Sequence, residues 1–123
     1  MKNYNYDLEE RLINFAVQMI QTAGQFPNTH VGKHLSGQLN RSGTAPALNY
    51  GEAQGAESNA DFIHKLRICL KELRESQICL KIALRAKLVS DATIAPGLQE
   101  CGQLVAIFTA SIKTAQANNP KPR

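Results

Sequence analysis

A chain of 123 residues with 43% hydrophobic and 20% charged residues is large enough for one domain with its own core, unsupported by metals or disulfides. No apolar run approaches the ~18–20 residues that cross a bilayer, and the opening M-K-N-Y-N-Y-D-L-E-E-R is too polar and acidic for a signal peptide. Cys69, Cys79 and Cys101 are odd in number, lack C-x-x-C spacing and fall in apolar helical patterns, so they read as buried reduced thiols of a cytoplasmic protein.

The first periodic segment opens at Asp7, a capping residue with Glu10 completing a capping box three positions later. Leu8, Leu12, Phe15 and Met19 recur at helical spacing, and Ile13, Val17 and Ile20 widen that stripe. This predicts a helix over residues 7–23, stopped near Gly24, with the loop F-P-N-T-H-V-G beyond it. The second segment looks at first like a linker, because R-S-G-T-A-P-A-L-N-Y-G-E-A-Q-G-A-E-S carries three glycines and a proline. Yet Leu35, Leu39, Ser42, Pro46, Asn49 and Ala53 fall on one helical face, so a helix over 32–56 is the better reading. Pro46 removes one backbone hydrogen bond there and should kink it.

Ser58 or Asn59 caps the third segment, and Asp61 sits where the helix dipole favours an anion. No glycine or proline interrupts it, so it runs over 59–89. The fourth, over 94–117, carries Ile94, Leu98, Cys101, Val105, Phe108, Ile112 and Ala115 in a seven-residue repeat. The tail 118–123 is polar, proline-punctuated and expected to be disordered. Nothing alternates as a strand would. The fold class is all-α, an antiparallel up-and-down four-helix bundle in a single domain over residues 1–117.

Charge is concentrated in the third segment. Between Asp61 and Lys87 stand seven bases and three acids, an excess of four, while the remaining bases and acids balance. Arg67, Lys71, Arg74, Lys81 and Arg85 share one helical face beside the core stripe of Phe62, Leu66, Leu70, Leu73, Leu80, Leu84 and Leu88. Such a ridge is either ordinary solvation or a surface for the backbone of RNA or DNA, and the lack of aromatics on it argues against base stacking. Across the ridge, His64, Ile68, Ile78 and Ile82 form a second apolar strip that a small monomer does not need. It points to a homo-oligomer, or else to a protein–protein scaffold whose charge is incidental.

Catalytic and cofactor motifs are missing. The pair His30 and His34 lacks the glutamate of H-E-x-x-H and a third ligand, so no metal site is read. Phosphate-binding, dinucleotide-binding and nucleophile-elbow glycine motifs do not occur. His64 and Cys69 lie on different faces of one helix, and Glu52 and Glu57 serve as surface charges. No catalytic residue, cofactor or metal is expected, and the chain reads as no enzyme.

The core Q-L-N-R-S-G-T-A-P-A-L-N-Y-G-E-A, leading through A-E-S-x-x-D-F-I-H-K-L-R-I-C-L-K-E-L-R-E-S, resembles the four-helix-bundle proteins of the 23S ribosomal-RNA intervening-sequence family. The resemblance runs from about Tyr6 to Phe108. The family's commoner core is approximately Q-x-x-R-A-x-x-S-I-x-x-N-I-A-E-G. Gln38, Arg41, Asn49 and Glu52 match it, while Ala45-Pro46, Tyr50-Gly51 and Ala53 depart in the manner of a subgroup. The resemblance implies an up-and-down bundle assembled into a ring-like homopentamer, and it carries over no catalytic residue. A similar bundle is the accessory variability protein of diversity-generating retroelements, in which a basic pentamer contacts nucleic acid and a reverse transcriptase. Arg41, Asn49 and Glu52 are read as polar struts from the second helix to the third or to a neighbouring subunit, rather than as ligand contacts.

Overall fold

A computed structural model describes residues 4–118, with side chains from Asp7 onward. Four helices account for nearly all of it: α1 (Tyr4–Ala23), α2 (His30–Gln54), α3 (Asn59–Arg85) and α4 (Asp91–Asn118), with no strand among the described residues. Each helix packs on its neighbours in the chain, and α4 closes back on α1 along the sparsest of the four seams. α1 and α3 therefore occupy opposite corners of the expected bundle, as do α2 and α4. Bonds across the seams show the antiparallel order. Glu52, late in α2, meets Lys65, early in α3, while the Cys79 thiol, late in α3, donates to the Leu35 carbonyl, early in α2. No described helix is long and apolar enough to cross a membrane.

The helix ends differ from the sequence expectation for local reasons. α1 begins at Tyr4, so Asp7 lies in its first turn and is not its cap. α2 begins at His30 because Thr29 caps it, its hydroxyl accepting from the Gly32 amide at 3.0 Å. Gly32 permits this tight entry, since a Cβ there would collide with the Pro27 carbonyl. α3 stops at Arg85, four residues before the expected Val89. Lys87 turns left-handed (φ 57°), its amide donating to the Leu84 carbonyl and the Leu88 amide to that of Ala83. That pair of bonds is a Schellman closure, made here without its usual glycine. α4 starts earlier than expected, at Asp91, where Ser90 accepts from the Thr93 amide. Of the tail 118–123, Asn118 closes α4 and the rest lies outside the described residues.

The core is layered along the bundle axis. Leu12, Phe15, Met19, Leu39, Leu66, Leu73, Leu80, Ile94, Leu104 and Phe108 are fully buried. Tyr50 and Phe108 meet edge to face, with ring centroids 5.9 Å apart. At mid-height α1 and α2 approach so closely that a Cβ on Gly43 would strike Met19, whose tip also abuts Gly97 of α4. There too the Ser76 hydroxyl donates to that of Ser42 at 2.9 Å, so two buried polar groups satisfy each other. Pro46 is buried inside α2, and its carbonyl accepts from the Cys69 thiol at 3.4 Å. The smallness that makes α2 look like a linker is thus the means of close helix approach.

One reading of the core is corrected. Ile13, Val17 and Ile20 do not widen the buried stripe of α1; they are 43%, 46% and 50% exposed. The buried arc of α1 needs only Leu8, Leu12, Phe15, Met19 and Ala23, because its two partner helices meet it on that side alone.

Candidate nucleic-acid interface

The two flanks of α3 carry different chemistry. On the flank toward α2, charges are matched: Glu52 lies 2.7 Å from Lys65, Arg41 3.9 Å from Glu75, and Lys71 3.9 Å from Glu72. The bond from Glu52 raises the pKa of Lys65, keeping its ammonium charged. Glu72 is the exception within this seam. Its Oε1 is buried without a hydrogen-bond partner, and burial, followed by the nearby negative charge of Glu75, raises its pKa.

On the outer flank, away from those pairs, stand Arg67, Arg74, Lys81 and Arg85, all exposed and none within ion-pair distance of a carboxylate among the described residues; Arg74 also rims a groove between α2 and α3. Lys71 is exposed as well and lies at the edge between the two flanks. These five cations span ~27 Å of helix at ~1.5 Å per residue. No aromatic side chain interleaves with them, so the surface offers charge and guanidinium forks rather than stacking platforms.

The α2 motif residues take separate roles. Gln38 accepts from the Arg41 guanidinium, and Arg41 also faces Glu75 of α3. Glu52 reaches α3 through Lys65. Asn49 does not reach another helix: its amide donates at 3.0 Å to the Ala45 carbonyl one turn earlier. A short asparagine side chain can always back-bond in this way, and nothing in the spacing distinguishes that from a strut.

Of the second apolar strip, His64 is exposed, Ile68 is half-buried, and Ile78 and Ile82 are 55% and 46% exposed. Ile78 and Ile82 border a groove of ≈ 550 Å³ between α2 and α3, floored by Leu35 and Cys79 and rimmed by Lys71 and Arg74. A second, larger cleft of ≈ 660 Å³ lies at the other end of the bundle, among Leu8, Tyr50, Phe62 and Phe108. None of the three main clefts has Arg41 or Glu52 in its walls. The three thiols are buried and free; desolvation pushes Cys69 and Cys101 up to about 12 and raises Cys79. They behave as small apolar groups with weak donors, the Cys101 thiol donating to the Leu73 carbonyl at 3.1 Å.

Together these features define a class: an all-helical bundle of four antiparallel helices with polar cross-links on α2 and an unmatched basic face on α3. The family model for the 23S rRNA-intervening sequence protein matches residues 5–110, and the chain belongs to that family. It is also similar to a crystal structure of a protein of unknown function from the S23 ribosomal protein family of Bacteroides thetaiotaomicron. The two share 28% identity and a TM-score of 0.81, over 86% of this chain and 98% of that one. No curated protein matches the chain.

Proposed function

We propose that this chain is a non-enzymatic bacterial bundle of the cytoplasm that assembles into a homo-oligomer, a pentamer, and lays its α3 ridge against the phosphate backbone of RNA or DNA. The observation that carries this reading is the unmatched charge of Arg67, Arg74, Lys81 and Arg85, beside a seam where almost every charge has a partner. Arginine forks bind phosphate oxygens bidentately, and affinity grows with the number of phosphates neutralised. A ring repeats the ridge once per subunit, so their fields add along one bound strand or duplex. Without stacking or groove-reading side chains, such binding is indifferent to sequence and sensitive to salt.

A protein–protein scaffold is the competing reading, and the groove beside Ile78 and Ile82 favours it. Light scattering for subunit number, paired with binding to generic RNA and duplex DNA at ~50 and ~200 mM salt, separates the two. The nucleic-acid reading expects an oligomer whose affinity falls about a hundredfold or more between those concentrations. Absence of binding at the lower salt, or binding indifferent to salt, leaves the scaffold.

A further inference from the structure

The groove between α2 and α3 is charged at one end and apolar along the rest. Gln38, Lys71, Arg74 and Glu75 gather toward the middle of the bundle, and Leu35, Ile78, Cys79 and Ile82 line the remainder. We infer that this groove binds a single-chain amphiphile with one anionic head, of the alkyl carboxylate class. Its head lies at Lys71 and Arg74, and its chain runs along Ile78 and Ile82.

The apolar part fits an alkyl chain. Neighbouring helices pack at ~8–10 Å, so the trough between them is about one side chain wide. From Lys71 to Ile82, α3 rises ~16 Å at ~1.5 Å per residue. Ile78 and Ile82 are 55% and 46% exposed on its wall, apolar surface that a bound chain would take out of water. At the floor, the Cys79 thiol is already committed to the Leu35 carbonyl, at 3.6 Å. That stretch therefore asks for contact and offers little to a polar ligand.

The charged end fits an anion. Lys71 has only a loose pairing with Glu72, at 3.9 Å, and Arg74 has no carboxylate partner among the described residues. Glu75, the acid of the rim, already faces Arg41 at 3.9 Å. Gln38 accepts from Arg41 through its oxygen, while its amide N–H groups make no hydrogen bond among the described residues. An ammonium, a guanidinium and an amide thus stand at one end, and a carboxylate head can accept charge-assisted bonds from them. A cationic head would meet like charge there. A bilayer surface would touch the rims at Ile78 and Ile82 and leave the floor empty, so the occupant is a free chain.

The test is calorimetric titration of the full chain with octanoate, decanoate and dodecanoate, each below its micelle concentration, and with decanol. Affinity should rise about fourfold per added CH2 while the chain still lies in the groove. Decanoate should bind about tenfold or more tighter than decanol. Changing both Lys71→Gln and Arg74→Gln should reduce decanoate to the affinity of decanol and leave decanol unchanged, a split that misfolding would not give. Ile82→Asp, at an exposed position and checked by circular dichroism, should abolish binding of all four. No saturable uptake by the wild type, whether the groove stays empty or a second copy fills it, overturns the assignment. Affinity flat across chain length does so too, as does binding that survives Ile82→Asp. Decanoate no tighter than decanol overturns the anionic head. Pelleting with phosphatidylglycerol vesicles that Ile82→Asp abolishes would give the groove to a membrane surface and overturn the free chain.

Discussion

The two flanks of α3 are built from the same residue types and end in opposite states. Toward α2, Lys65 and Arg41 find carboxylates across the seam and the thiols of Cys69 and Cys79 find carbonyls. On the outer flank, Arg67, Arg74, Lys81 and Arg85 find none among the described residues. Matched charge on a seam sets helix register and contributes little beyond it, since exposed pairs are worth about 0–1 kcal/mol. Unmatched charge repels itself in the free protein and becomes favourable only when an anion arrives. The first flank is therefore about folding, and the second is the surface proposed to meet a partner.

The largest effect that would break this contrast lies on the ridge. Reversing Arg67, Arg74, Lys81 and Arg85 to glutamate should lower affinity for generic RNA by about a thousandfold or more at ~50 mM salt. Thermal unfolding should show the fold intact. An unfolded variant would mean the ridge has a structural role that its exposure hides.

Next come the packed seams. Gly43→Ala forces a Cβ into Met19, at 2.5 Å from the Met19 Cβ, and should destabilise the bundle by about 1–3 kcal/mol in urea unfolding. The same change at the exposed Gly51, which has nothing within 4 Å, should stabilise by up to ~1 kcal/mol through helix propensity.

Glu72 sharpens the comparison, as the seam carboxylate whose buried oxygen is left unpaired. Its raised pKa means the folded chain holds that proton more tightly than the unfolded one. Stability from this group is thus greatest at low pH and declines as pH rises from the ordinary value of 4.5 through the raised one. Glu72→Gln should therefore stabilise by about 1 kcal/mol at neutral pH, its amide donating to Glu75, with the gain vanishing below pH 4.5. A gain that persists in acid would place the effect elsewhere.

The smallest expected change is at the end of α3, remote from both flanks. Lys87→Gly should add about 0.5–1 kcal/mol by relieving a left-handed side chain, read as a shift in melting temperature.

Periodicity carried the reading of the fold a long way. The four helices, the core stripe of α4 and the helical nature of α2 follow from spacing alone, because glycine, serine and proline kept the period that larger residues keep elsewhere. What stayed hidden was set by partners. Ile13, Val17 and Ile20 have the composition of a core, and only the positions of α2 and α4 around α1 leave them outside. The stop of α3 at Arg85 rests on a left-handed lysine, which no residue-type signal announces. Of the candidate residues, the cations of α3 could be placed on one face by counting. That Lys65 and Arg41 are matched while Arg67 and Arg85 are not depended on what α2 and α4 bring alongside. Asn49 and Glu72 turn on side-chain direction within a turn, below the resolution of a wheel.

The most direct measurement is the salt dependence of nucleic-acid affinity for the wild type and for a variant with Arg67, Arg74, Lys81 and Arg85 changed to glutamine. The wild type should show log K falling with log salt at a slope of about −0.9 per phosphate contacted on a duplex. The variant should lose most of both the affinity and the slope. Equal slopes for the two proteins, or a wild-type affinity flat across salt, would contradict the ridge as the binding surface.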